Sequence, residues 1–128
     1  MRTSISVVGS LTLAAVAFGA GAMVAMSRGW GEAIAIIDIV NGTDQAVSMV
    51  TVQFDTCGYR GSIQAGALAP NASTQVRYMV CGEGGQTVTA QFADGTLLKS
   101  AAYVESGYRV TEKISRDVIS QHADLGLR

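Results

Sequence analysis

A mostly β fold, an immunoglobulin-like sandwich of about seven strands behind one N-terminal transmembrane helix, is what three features of this sequence predict. Residues 5–26 run for 22 positions without a charged side chain. Beyond them, short apolar runs alternate with polar residues at period two, the pattern of a half-buried strand. Between the runs stand Asn41-Gly42, Pro70-Asn71, Asp94-Gly95 and Ser106-Gly107, residue pairs that reverse a chain. A small β-barrel is the alternative closure of the same strands.

The apolar stretch comes first. As a helix it would measure about 33 Å, slightly more than the roughly 30 Å hydrocarbon core of a bilayer. Two readings compete for residues 1–28. One is a signal anchor that stays in the lipid; the other is a signal peptide cleaved after Ala22, at the small-residue run Gly19 to Ala22. Retention is preferred, because the apolar run continues through Met26 before Ser27-Arg28 and Trp30, and an aromatic at the boundary suits an interfacial anchor. Arg2 and Arg28 leave little positive-inside bias. The β-rich, two-cysteine remainder places the N-terminus in the cytoplasm and the domain in the periplasm, with the anchor in the inner membrane. Ala15/Gly19 and Ala17/Gly21 stand four apart, a spacing that lets helices approach closely in lipid, although Ala/Gly-rich segments show it by composition alone.

A linker at 29–32 leads to the domain at 33–119. Residues 33–41 are β-branched and apolar apart from Asp38, and Asn41-Gly42 stops them. In 47–54, Val50, Val52 and Phe54 share a face. The run 60–68 is weaker, being rich in glycine and small residues. Residues 73–81 put Val76, Tyr78 and Val80 on one side, and Gly82 to Gly85 read as a loop. Val88, Ala90 and Phe92 face inward from 86–93, then 96–104 and 108–115 complete the set. The tail at 120–128 reads as polar.

About 100 residues remain once the apolar segment is set aside, enough for one domain with a core of its own. From Gly29 onward seven Lys/Arg face ten Asp/Glu, a charge of about −3 without a basic cluster, which argues against nucleic-acid binding. Cys57 and Cys81 are the only cysteines, and in an exported domain they read as one disulfide. A C-x-x-C redox pair is absent. The lone histidine, His122, lies in the tail, so neither a histidine triad nor a metal site is expected, and Met49 and Met79 without a histidine beside them do not suggest copper. The carboxylates are assigned mostly to turns. Asn41-Gly42-Thr43 and Asn71-Ala72-Ser73 match a glycosylation pattern that matters only in a eukaryotic secretory pathway. Tyr103 and Tyr108 flank a loop and form a candidate partner patch, against the plainer reading of half-buried tyrosines.

The residues 37–41, Leu68-Ala69-Pro70, Phe92-Ala93-Asp94-Gly95 and Ala102-Tyr103-Val104, with Gly107 and Ile114, carry a resemblance. Over about residues 34–119 the chain is similar to small exported or membrane-anchored β domains of Gram-negative bacteria, from which it departs in its cysteine pair. The resemblance implies an immunoglobulin-like sandwich and transfers no activity or site. The expectation is therefore a non-enzymatic accessory or interaction domain without a cofactor, held by membrane lipid through its helix and bound to another membrane or periplasmic protein. The alternative is a binding or inhibitor domain released into the periplasm.

Overall fold

The computed structural model describes residues 33–123. The expected anchor, with Ala15, Ala17, Gly19 and Gly21, lies outside them. Among the described residues no helix is long and apolar enough to cross a membrane. The described residues form eight strands: β1 (Ile34–Asn41), β2 (Val47–Thr56), β3 (Tyr59–Leu68), β4 (Ser73–Met79), β5 (Glu83–Phe92), β6 (Leu97–Glu105), β7 (Arg109–Ile114) and β8 (Ile119–Ala123).

They hydrogen-bond as two sheets of four, ordered β4-β1-β7-β8 and β3-β2-β5-β6. All pairings are antiparallel except β1 with β7. One core lies between the sheets. Ile37, Ile39, Val110 and Ile114 enter it from the first, and Val50, Val52, Val88 and Val104 from the second, all without solvent exposure. Each such burial is worth roughly 1.5–3 kcal/mol against an exposed side chain, and period-two alternation is what delivers it. The inward sets read from the sequence for β2, β4 and β5 are the buried ones, Phe54 being half-buried.

Two departures have plain causes. Glu83 to Gly85 do not form a loop but open β5, paired with β6 from Glu83↔Glu105 and with β2 at Gly84↔Thr56. Gly84 is a glycine of close approach: a Cβ there would lie 2.6 Å from the Asp55 carbonyl oxygen. The tail assigned to 120–128 is strand through Ala123, because Ser115 donates to the Val118 carbonyl at 2.8 Å and turns the chain back along β7, with Ile119 buried.

The β2–β3 connection is a two-residue turn, Cys57-Gly58, with φ of 58° and 66°. Positive φ at both positions defines the hairpin turn whose twist matches the strands it joins. At the opposite end of β1, the fully buried Asn41 ties three segments together. Its Nδ2 lies within reach of the carbonyls of Gln45 at 2.8 Å, Ala69 at 3.1 Å and Leu68 at 3.2 Å, while its Oδ1 accepts from the Thr43 N–H and hydroxyl. An asparagine engaged in this way is no acceptor for a glycan.

Candidate functional site

Cys57 and Cys81 are joined as a disulfide with Cα atoms 5.0 Å apart. It fixes the tip of the β2–β3 hairpin, in the second sheet, to the residue two beyond β4, in the first. Thr56 supports the junction by accepting the Cys81 N–H at 3.1 Å. The bond therefore braces the sandwich between its sheets at one end.

Beside it opens a groove of about 490 Å³ between the edge strands β3 and β4, with Phe54, Ile63 and Tyr78 lining it and Tyr59 and Met79 at its rim. Phe54 and Tyr78 stack across the two sheets with ring centres 4.4 Å apart and planes within 10°. The Phe54 ring lies over Gly61, where a Cβ would meet it, so the glycine lets the ring lie against β3. Tyr59 and Met79 are each 64% exposed, the highest exposure of any large hydrophobic side chain among the described residues. No pattern in the sequence marks the groove, because its lining comes from three strands and a cross-sheet disulfide.

The candidate patch of Tyr103 and Tyr108 is divided by the fold. Tyr103 is exposed on the outer face of β6 and donates to Glu83 Oε2 at 2.7 Å, and that bond to a carboxylate raises its phenol to about 12. Tyr108 packs against the core. Near Tyr103 the same outer face holds a shallow depression of about 680 Å³ over Gly85 and Ala101, bounded opposite by the Arg60–Asp55 ion pair at 2.8 Å. His122 stands on β8, opposite Thr111 of β7.

On the outer face of the first sheet, Arg77, Ile36 and Arg109 form one cross-strand row. Arg109 pairs with Asp38 at 3.0 Å. Gln75 donates to Asp38 Oδ1 at 2.6 Å and accepts both Nε and Nη2 of Arg77, at 2.9 and 2.7 Å. Partial burial pushes the Asp38 carboxyl up, but Gln75, Arg109 and Arg77 together hold it below the usual carboxylate range. Arg77 itself has an amide oxygen and no carboxylate within ion-pair distance among the described residues.

The sequence reading places carboxylates mainly in turns, and Glu112 corrects it. Glu112 sits in β7 with no solvent exposure, inside the core. Its Oε1 accepts from Gln86 Nε2 at 3.3 Å, Gln86 Oε1 accepts the Tyr78 hydroxyl at 2.7 Å, and Glu112 Oε2 has no partner among the described residues. Burial pushes its carboxyl up, against the opposing pull of Ser100 and Gln86. The inward slots Val110, Glu112 and Ile114 follow one alternation, so a period-two reading had the signal but not the reason to trust it for an acid. Among the described residues no group of three His, Cys, Asp or Glu is placed to hold a metal.

No family model matches the chain, and no curated protein is similar to it in sequence. Among solved structures it is similar to a protein from Eubacterium rectale determined by NMR. The likeness has a TM-score of 0.50 at 16% identity, over 76% of this chain and 94% of that one, and at that identity it speaks to the fold alone.

Proposed function

We propose that the chain is a membrane-anchored accessory domain of the bacterial periplasm, a small non-catalytic subunit of an envelope membrane complex that works by holding a partner. The observation that carries this reading is the exposed apolar rim of Tyr59 and Met79 over a groove braced by a disulfide, a bond suited to an oxidising compartment. The uncharged residues 5–26 supply the anchor, N-terminus inward, and the Ala15/Gly19 and Ala17/Gly21 faces would pack on partner helices.

The strand order is not the ABED-on-CFG order of a constant immunoglobulin domain, since β1 and β2 fall in opposite sheets. What the chain would share with such modules is two packed sheets whose free edges meet other proteins. A second reading, a released periplasmic binding or inhibitor domain, draws support from the groove, whose volume falls within the range of small-ligand sites.

N-terminal sequencing and membrane fractionation of the mature protein separate the two. The anchored reading expects a membrane pellet and an intact apolar segment; a soluble protein beginning at Met23 overturns it. Mild-detergent purification then expects a stoichiometric membrane or periplasmic protein alongside, and a chain that purifies alone overturns the accessory role.

A further inference from the structure

Among the described residues each sheet has two edges, and the four edge strands are not equally guarded. β3 is broken by register shifts against β2 and by Gly66 at φ 86°, and β8 has five residues, whereas β4 and β6 pair regularly and each carries charge, Arg77 on β4 and Lys99 and Glu105 on β6. Of the two regular edges, β4 is the one that borders the apolar groove. It runs in register with β1 for seven consecutive pairs, without a bulge or a proline. Natural edges are commonly blunted by bulges, breaks or shortness, and a regular edge without them is a template for another strand.

The backbone of β4 is set for that role. Val80 donates to the Ala33 carbonyl and Ala72 accepts from the Asn41 N–H, so the even-numbered residues between them turn their peptide groups toward β1. By the alternation of an antiparallel ladder, Gln75, Arg77 and Met79 present theirs to the open edge. That edge borders the apolar groove, and Arg77, which lines it, has no carboxylate partner among the described residues.

We propose that β4 is where this domain receives its partner: an extended segment of another protein adds a strand to β4, sets a carboxylate against Arg77 and lowers an apolar side chain between Phe54, Ile63 and Tyr78. Main-chain bonds to the edge supply affinity, while the groove and the guanidinium select the sequence. A second copy of this chain is a poorer occupant, because an antiparallel β4–β4 pair centred near Arg77 brings two guanidiniums together. The inference rests on the reading of the chain as an interaction domain and names the edge and the chemistry of what it meets.

The test uses the full chain, purified in mild detergent, with two capped nine-residue peptides of alternating threonine and valine, one with a central glutamate and one with a central lysine. The glutamate peptide is expected to slow amide exchange at Gln75, Arg77 and Met79 by roughly tenfold or more. It is expected to bind roughly fivefold more tightly than the lysine peptide. Arg77→Glu should reverse that preference. Arg77→Gln, which leaves the edge backbone alone, should keep the protection and lose the preference.

Protection confined to β3, β6 or β8, no protection at millimolar peptide, or a preference that ignores position 77 overturns the proposal. So does concentration-dependent protection of β4 without peptide, which assigns the edge to a second copy. A natural partner that stays bound to Arg77→Glu and to Gln75→Pro likewise removes β4 as the site while leaving the accessory role standing. Absence of any partner on the wild-type chain defeats that role independently of the peptide result.

Discussion

Glu112 is a carboxylic acid in the middle of a hydrocarbon core, and its surroundings favour the proton. One oxygen is held by Gln86, the other has no partner among the described residues, and burial raises the group above its ordinary 4.5. In the unfolded chain it ionises at the ordinary value. Between that value and the raised folded one the native state therefore holds more protons, and stability falls as pH rises through the window. Above the folded value the penalty is constant, at about 1.4 kcal/mol for each unit by which folded and unfolded values differ. Glu112→Gln cannot ionise. Its stability relative to wild type is expected to increase from pH 4.5 upward and then level off, as read by urea midpoints at a series of pH values. A difference that stays flat across pH would show that the wild-type carboxyl titrates normally.

At the scale of elements, strands β2, β4 and β5 were legible because apolar residues recur at every second position over residues 50–54, 76–80 and 88–92, and burial follows that spacing. Strand β1 was legible as a β-branched apolar run stopped by Asn41-Gly42. Where side chains did not report the environment, the reading failed. A charged Glu83 followed by the paired glycines Gly84 and Gly85 looks like a turn, yet Gly84 is small because the backbone of β2 passes against it. Gly84→Ala is accordingly expected to destabilise by about 1–3 kcal/mol, as overpacking against backbone does, with β5 amides near residue 84 losing exchange protection first. An unchanged denaturation midpoint would place the β2–β5 contact elsewhere. Strand β8 was missed because it sits at an edge and Ile119 is the one buried side chain over residues 119–122, too little for a periodic signal. The cysteine pairing was readable by count alone, whereas the groove beside it was not. Phe54, Tyr59, Ile63, Tyr78 and Met79 come together only through cross-strand register and sheet packing, which no local window of sequence contains.

For the whole molecule, two ties hold the sandwich at opposite ends of β1. The Cys57–Cys81 bond joins the sheets near Ile34, and Asn41 gathers the β1–β2 and β3–β4 connections at the other end. Eight residues of strand separate them by roughly 23 Å. Closing a loop across a separation of 24 residues is worth roughly 3.5 kcal/mol in the chain-entropy model. Removing the asparagine side chain leaves buried carbonyls without a donor, at about 1–3 kcal/mol. Cys57→Ser with Cys81→Ser should therefore lower stability by the first amount, and Asn41→Ala by the second, in equilibrium denaturation. Because the two sites share no partner, the combined variant should lose the sum to within about 0.5 kcal/mol. A coupling well above that would mean the two ends communicate through the core. The groove at the disulfide end would then respond to changes at Asn41, which a rigid two-sheet brace does not allow.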